Sequence, residues 1–207
     1  MPRRQRPYPS DLSDARWELL EPTLTAWRLE RRGKGLDIGR PPEHDLRRIM
    51  DAILYVDRTG IPWRYLPRDF APWKTVYGYF AAWQKDGVFD QLNGLLRRLV
   101  RKAGGRDAEP SACILDAQSI KTSANVPAAG QGIDVEVIRR DPAQKGFKVI
   151  PRRWVVERTF GWLMHHRRLA RDYETNPHRS EAMINIAMID LMSRRLTRES
   201  TRNWRDN

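Results

Sequence analysis

The sequence contains very little cysteine and no long apolar run. Cys113 is the single cysteine among 207 residues, so an internal disulfide is excluded and a reducing compartment is expected. No stretch of about 18 apolar residues occurs, and no hydrophobic segment follows the basic N-terminus. We therefore expect neither a signal peptide nor a membrane span.

Acidic residues are scarce relative to basic ones. Lysine and arginine total 38 against 26 aspartate and glutamate residues, which gives a net charge of +12 at neutral pH. A surplus of this size favours a polyanionic partner, and nucleic acid is the commonest one. The alternative is a basic surface that is simply solvated. Nucleic acid is therefore the partner class that the composition favours.

Four helices are predicted in the first half of the chain, because apolar residues recur there at spacings of three and four. Ser13 is the expected N-cap of the first helix, and the charged, glycine-containing stretch 31–43 is expected to be a loop. The predicted helices cover about residues 13–28, 44–58, 72–85 and 87–102.

The helix predicted over 72–85 has the sharpest division into two faces. Its large apolar residues share one face, whereas the other is small and basic and includes Lys74, Thr75 and Lys85. Two helices joined by a tight turn, the second with such a face, suit a helix-turn-helix reader of the DNA major groove. The alternative is an ordinary helical hairpin with a solvated face. We take these three residues as candidate DNA-binding residues.

A linker rich in glycine and charge is predicted at residues 104–110. It divides the chain into a helical domain, 1–103, and a second domain, 111–207. The second domain contains two short strands, followed by two helices, the last of which has Ser180 as a candidate cap. The strands are expected at 112–115 and 135–138 and the helices at about 153–170 and 181–196. The predicted fold class is therefore mostly α with a small β part.

Two acidic residues of the second domain are candidates for chemistry. Asp116 ends a short apolar strand, and Glu157 lies in an arginine-rich helix. Arg153 and Gly161 lie four residues either side of Glu157, so the three share one helix face. The carboxylate either forms a plain helix pair with Arg153 or joins Asp116 in holding a metal ion for phosphoryl transfer on nucleic acid.

Three stretches of the chain resemble the DDE transposases of bacterial insertion sequences. Arg152 to Tyr173 resembles the C-terminal signature of that family, Ile114 to Ser123 its first-aspartate segment, and Pro9 to Tyr79 its N-terminal helical DNA-binding region. The resemblance implies an RNase H-like core that cuts and joins double-stranded DNA at terminal inverted repeats. It also implies a bacterial cytoplasmic, nucleoid-associated protein without membrane partners.

The resemblance assigns a role to each candidate of the second domain. Asp116 matches the family's first catalytic acid, Glu157 its third acid, and Arg153 the arginine that precedes the glutamate by four residues. The family's acids hold divalent cations, so Mg²⁺ is the implied cofactor, with Asp116 and Glu157 as its ligands. Lys121 and Arg158, which follow the two acids, are further candidate DNA contacts.

The family's second aspartate has no counterpart in the sequence. Only 40 residues lie between Asp116 and Glu157, too few for the strands and crossover helix that an RNase H-like core places there. Asp134 and Asp141 are better explained as solvated loop charges. We therefore expect an internal deletion near 132–135, a truncated RNase H-like α/β remnant and defective catalysis.

Three functions remain open at this point. The leading one is an insertion-sequence transposase that binds DNA but is catalytically defective. The first alternative is a non-catalytic derivative that occupies the ends of the element, or joins full-length transposase subunits, and inhibits transposition. The second alternative is an active enzyme that completes its acid set in a homo-oligomer or with a substitute acid. Metal-dependent nicking of element ends would favour the last.

Overall fold

All regular elements in the described part of the chain are helical. The computed structural model describes residues 8–33, 44–111, 154–171 and 173–200. The mostly helical class is thus confirmed, whereas both predicted strands lie outside these ranges and no RNase H-like sheet is seen within them. The helices are α1 Asp14–Gly33, α2 Leu46–Thr59, α3 Trp73–Lys85, α4 Val88–Ala103, α5 Trp154–Leu163 and α6 Pro177–Leu196.

The chain divides into two compact units. The first contains residues 1–109 together with 162–207, and the second contains residues 110–161. Helix α6 therefore belongs to the same unit as α1 to α4, and it packs against α4 along its length. From the sequence alone α6 falls in the second domain, because a long-range association of this kind leaves no local pattern. No helix in the described ranges is both long and apolar enough to cross a membrane.

The helix ends follow their capping residues. Ser13 caps α1 as predicted, since the backbone N–H of Arg16 donates to its Oγ at 3.2 Å. Helix α1 continues to Gly33, however, so its last turn replaces the start of the predicted loop. Helix α6 begins at Pro177 and not near residue 181, because the side chain of Asn176 accepts a hydrogen bond from the backbone of His178. Ser180 is therefore not the cap.

The core of the first unit is built from one apolar face of each helix. The face of α3 that was predicted to be internal supplies Val76, Phe80 and Trp83, all fully buried. Trp83 makes edge contacts with Trp27 of α1 and Phe89 of α4, at ring-centroid distances of 5.8 and 6.0 Å. These contacts fix how α3 is rotated about its axis. The core residues from the other helices include Leu20, Leu24, Ile49, Ile53, Leu92, Leu96, Met183, Ile186 and Ile189.

The connection from α2 to α3 depends on a glycine. Gly60 ends α2 with a φ of +72°, and its N–H donates to the carbonyl of Val56 at 2.9 Å. A Cβ added to Gly60 would lie 3.1 Å from backbone and side-chain carbon atoms of Arg167. The chain then forms a 3-10 turn, Trp63–Tyr65, before α3. Glycine is thus required both by the backbone conformation and by the close approach of Arg167.

A buried ionic network joins the helices of the first unit. Asp190 of α6 contacts Arg16 of α1 at 2.5 Å and Arg194 of α6 at 3.1 Å. His166 lies between Asp57 of α2, 2.5 Å from its Nδ1, and Asp190, 3.8 Å from its Nε2. All five side chains are at least nine-tenths buried. The network therefore replaces apolar packing at the point where α1, α2 and α6 meet.

The two carboxyl groups of this network have shifted pKa values in opposite directions. Burial raises the pKa of Asp57, and the contact with His166 offsets only part of that effect. Burial would also raise the pKa of Asp190, but the charges of Arg16 and Arg194 outweigh it and hold that pKa at about 2. Asp190 is consequently the carboxylate whose charge the fold stabilises.

Candidate nucleic-acid interface and catalytic segment

The outer face of α3 is polar and narrow. Lys74, Gly78 and Lys85 are exposed, and Thr75 is half-buried. Because the opposite face is held in the core, the rotation of the helix leaves these side chains on the outside. The structure therefore places the three DNA-binding candidates of α3 on one solvent-facing side of the helix.

An open groove of about 380 Å³ lies between α1 and α3. Its floor is open at Gly78, where an added Cβ would meet no atom within 4 Å. The contribution of α1 was not predicted, because Arg31 was expected in a loop and no local pattern pairs α1 with α3. The only indication in the sequence that α1 contributes to this groove was the arginine content of residues 28–32. The groove is lined by Trp27, Arg28, Arg31, Thr75, Gly78, Tyr79 and Ala82.

Both arginines of the groove are held in defined positions. Arg31 donates from Nη1 to Oδ2 of Asp86 at 3.0 Å, and its guanidinium carbon lies 5.3 Å from the ring centroid of Trp27. The Trp27 indole N–H donates to the same Asp86 oxygen at 2.8 Å. Arg28 donates from Nη2 to the carbonyl of His44 at 2.6 Å. A guanidinium carries five N–H donors, so Arg31, whose side chain is 58% exposed, can also contact an anion.

Two further cations stand at the beginning of α3. The guanidinium carbon of Arg64, in the 3-10 turn, lies 5.5 Å from the ring centroid of Trp73, and Nζ of Lys74 lies 5.9 Å from it. Both side chains are exposed at the surface. Cation–π contacts at such sites are worth about 0.5–1 kcal/mol, enough to favour one orientation of a long side chain. Arg64 is a third cationic residue, after Arg28 and Arg31, that was not predicted from the sequence.

The predicted catalytic segment is described only in part. Glu157 and Arg158 lie on α5, where no residue is buried. The guanidinium carbon of Arg158 lies 4.2 Å from the ring centroid of Trp154, so the ring orients this cation. Gly161, one turn beyond Glu157, has no atom within 4 Å of an added Cβ. Three further candidates lie outside the described residues: Asp116, Lys121 and Arg153.

The described ranges bring together no group of three or more histidine, cysteine, aspartate or glutamate side chains suited to a metal ion. Glu157 supplies one carboxylate, and carboxylate oxygens are the ligands that Mg²⁺ prefers. His165 and His166, adjacent in sequence, do not form a metal site either, since His166 is buried against Asp57. The metal ligands proposed from the sequence therefore depend on residues beyond the described part of the chain.

Two family models match most of the chain. The first, described as "Putative transposase of IS4/5 family", matches residues 12–93 and thus contains α1, α2, α3 and their groove. The second, described as "Transposase DDE domain", matches residues 118–192. Glu157 lies within this second match, whereas Asp116 lies two residues before it.

A curated relative agrees with these matches. The "Insertion element IS402 uncharacterized 16.2 kDa protein" of Burkholderia cepacia is 33% identical over 133 residues, which cover 63% of this chain and 84% of the relative. No solved structure matches the chain significantly. With one family match on the helical region and another on the segment around Glu157, the chain belongs to the IS4/5 family of insertion-sequence transposases and carries a DDE transposase domain.

Proposed function

We propose that this insertion-sequence transposase binds double-stranded DNA at the terminal inverted repeats of its element, with α2 and α3 acting as a helix-turn-helix-like pair joined by the longer connection 60–72. The observation that carries the proposal is the outer face of α3, which combines exposed lysines with an open glycine beside two ordered arginines of α1. A face that is both basic and free of bulk suits close approach to a phosphate backbone.

The dimensions of α3 support this proposal. Lys74 and Lys85 are separated by about 16 Å along the helix axis, given a rise of about 1.5 Å per residue. The major groove of DNA is about 12 Å wide, so a helix lying across it can place one lysine near each flanking backbone. Thr75 and Gly78, on the same outer side, then face the base edges. Arg28 and Arg31 would contact phosphates beside the groove.

For the catalytic part we propose the assignment that the family resemblance implies. Asp116 and Glu157 are the first and third acids, Arg153 is the arginine four residues before the glutamate, and Lys121 and Arg158 contact DNA. Divalent metal dependence is a property of the DDE family, and Mg²⁺ is our choice of ion. The ion would supply Lewis-acid activation of the attacking and leaving oxygens.

We further propose that this chain is catalytically defective. The short interval between Asp116 and Glu157 leaves no segment for the second aspartate, so the RNase H-like part of 111–207 would be a truncated remnant behind the linker 104–110. With two acids, the site lacks a ligand that the two-metal mechanism requires. DNA binding by the helical domain, 1–103 in sequence with α6 packed against it, does not depend on that ligand.

A second candidate function follows from the same missing acid. A chain that binds element ends without cutting them would compete with active enzyme, so it would inhibit transposition. It could also associate with full-length transposase or with a second copy of itself. Competition assays, in which this chain and an active relative compete for the same element ends, distinguish the two cases. An inhibitor would lower the activity of the relative, whereas an inert product of gene decay would not.

The DNA-binding proposal is tested with a matched pair of glycine substitutions. Gly78→Gln on α3 and Gly94→Gln on α4 both replace a helical glycine whose Cβ would meet no atom within 4 Å. Each should therefore stabilise its helix by up to about 1 kcal/mol. Gly78→Gln should nevertheless weaken binding to an end-bearing duplex, that is, a duplex carrying the terminal inverted repeat of the element. We expect the affinity to fall at least about tenfold, as for the loss of one good contact to a base edge. Gly94→Gln should lose much less affinity than Gly78→Gln does, because α4 is not the reading helix. Equal affinities for the two variants would reject α3 as the reading helix.

A further inference from the structure

The second half of α4 carries a cluster of basic residues that no part of the proposed interface uses. Arg97 and Arg98 are about half exposed, with side-chain accessibilities of 48% and 47%. Arg101 lies on the next turn of the same side. The opposite side of α4 is held in the core by Leu92 and Leu96, which are fully buried. The arginines are therefore directed outward by the packing of the helix.

The chain folds back over this cluster immediately after α4. The carboxylate of Glu109 lies 3.4 Å from Nη2 of Arg97 and 3.6 Å from Nη1 of Arg98. Arg101 donates from Nε to the carbonyl of Asp107 at 2.6 Å and from Nη2 to the carbonyl of Glu109 at 3.1 Å. One carboxylate thus bridges two guanidinium groups while neighbouring carbonyls orient the third. The guanidinium groups of Arg97 and Arg98 therefore share a single anionic group, the Glu109 carboxylate.

The bridge made by Glu109 is weak and replaceable. Its two nitrogen–oxygen distances exceed the roughly 2.7–2.9 Å of strong charge-assisted hydrogen bonds. The Glu109 side chain is 64% exposed, and ion pairs between exposed side chains contribute little to stability. A phosphate oxygen could take the place of the carboxylate with little loss to the fold. A guanidinium also matches the geometry of a phosphate better than any other cationic side chain does.

The charge balance of the segment favours the same ligand. Residues 97–109 carry five cationic side chains, Arg97, Arg98, Arg101, Lys102 and Arg106, against two acids, Asp107 and Glu109. Displacing the Glu109 carboxylate from the arginines would leave a strongly positive patch on one side of one helix. Such patches bind the sugar–phosphate backbone of nucleic acid without sequence preference.

We propose that Arg97, Arg98 and Arg101 form a second contact site for the DNA backbone, and that Glu109 occupies this site in the free protein. The inference rests on the proposed binding of duplex DNA and adds to it a region outside α3. The carboxylate then acts as an intramolecular competitor of phosphate. Its removal should increase DNA affinity, whereas a merely structural carboxylate would leave affinity unchanged.

The test measures the affinity of the full chain for an end-bearing duplex and an unrelated duplex by fluorescence anisotropy, from 50 to 200 mM salt. Glu109→Gln should tighten binding to both duplexes by about three- to tenfold at the lowest salt, as expected for uncovering phosphate contacts. The matched control is Glu21→Gln, the same change of charge at an exposed position of α1. It should change affinity by less than about twofold, because it uncovers no contact.

A second pair of variants tests the arginines themselves. Replacing Arg97 and Arg98 together with glutamine should weaken binding to both duplexes and lower the salt slope by about one to two units. In that background, Glu109→Gln should give no gain beyond that of Glu21→Gln. Thermal unfolding of each variant verifies that the helices remain folded.

Two results would overturn the inference. One is an equal effect of Glu109→Gln and Glu21→Gln in the parent protein, and the other is unchanged binding after both arginines are replaced. If substitutions on α3 such as Gly78→Gln still weaken binding, the proposed function stands and only the second contact site is rejected. If the parent protein binds neither duplex, the proposed function fails, and this inference fails with it.

Discussion

Asp190 offers the most quantitative test of how the first unit is held together. Its carboxylate contacts Arg16, whose side chain is fully buried, and also Arg194 and His166. A shift of its pKa from 3.8 to about 2 corresponds to about 2–3 kcal/mol in favour of the charged form. Asp190→Asn keeps the shape but leaves Arg16 without its anion. Breaking a buried pair in this way typically costs about 3–5 kcal/mol, which is the loss we expect in the free energy of unfolding at pH 7.

The pH dependence of this loss has a defined sign. The pKa of Asp190 is lower in the folded protein than the ordinary value of 3.8, so its contribution is fully present above about pH 4. It disappears as the pH falls from about 4 to about 2. The difference in stability between parent and Asp190→Asn should therefore shrink across that window. Asp57, whose pKa burial raises, contributes with the opposite sign, but it is present in both proteins and largely cancels in the difference.

Urea unfolding followed by tryptophan fluorescence measures both the loss of stability at pH 7 and its dependence on pH, because Trp83 lies in the core of this unit. Glu181→Gln is the control on the same helix, since its side chain is 71% exposed and should change stability by less than about 0.5 kcal/mol. A loss below about 1 kcal/mol for Asp190→Asn at pH 7 would refute the assignment of the network as a stabilising element. A loss that persists unchanged at pH 2 would refute the role of the Asp190 charge.

Three other predictions concern the α2–α3 turn, DNA affinity and catalysis. Gly60→Ala should lower the free energy of unfolding by about 2 kcal/mol, because its φ is +72° and its Cβ would approach Arg167 to 3.1 Å. Thermal unfolding checks this prediction, with Gly94→Ala as a control that is expected to be stabilising. Lys74→Glu should weaken duplex binding and reduce its salt slope by about one, and an unchanged slope would exclude a phosphate contact. Adding Mg²⁺ or Mn²⁺ should produce no strand cleavage; cleavage abolished by Asp116→Ala or Glu157→Ala would contradict the proposed defect.

The sequence predicted the helices well wherever one apolar face decides their position. Helices α2, α3 and α4 lie within about two residues of their predicted ends, because their internal faces recur with the helical period. The C-terminal end of α1 was missed. Its last turn contains Arg31, which contacts Asp86 and Trp27, and such a tertiary contact has no local signature. Helix α6 starts early for a local reason, since Asn176 and Pro177 are a better cap and first residue than Ser180.

Only the part of the candidate site that α3 contributes could be predicted from the sequence. The polar face of α3 follows from periodicity, so the exposure of Lys74 and Lys85 could be anticipated. The groove needs the packing of α1 against α3, which no spacing within either helix encodes. The position of His166, buried between two carboxylates, also follows from tertiary packing and has no signature in the sequence. Asp116 and Arg153 stay predictions, because they lie outside the described residues.

The packing of α6 against α4 has a consequence for when the first unit can complete its fold during synthesis. Ribosomes add about 5–20 residues per second, and helices that complete a core must emerge before that core can close. Helix α6, which ends at Leu196, supplies both the side chains that pack against the buried face of α4 and the anion for Arg16. A nascent chain carrying only α1 to α4 therefore lacks part of the core that holds α3 in place. If the proposed function holds, capture of DNA by the growing polypeptide should wait until α6 has been synthesised.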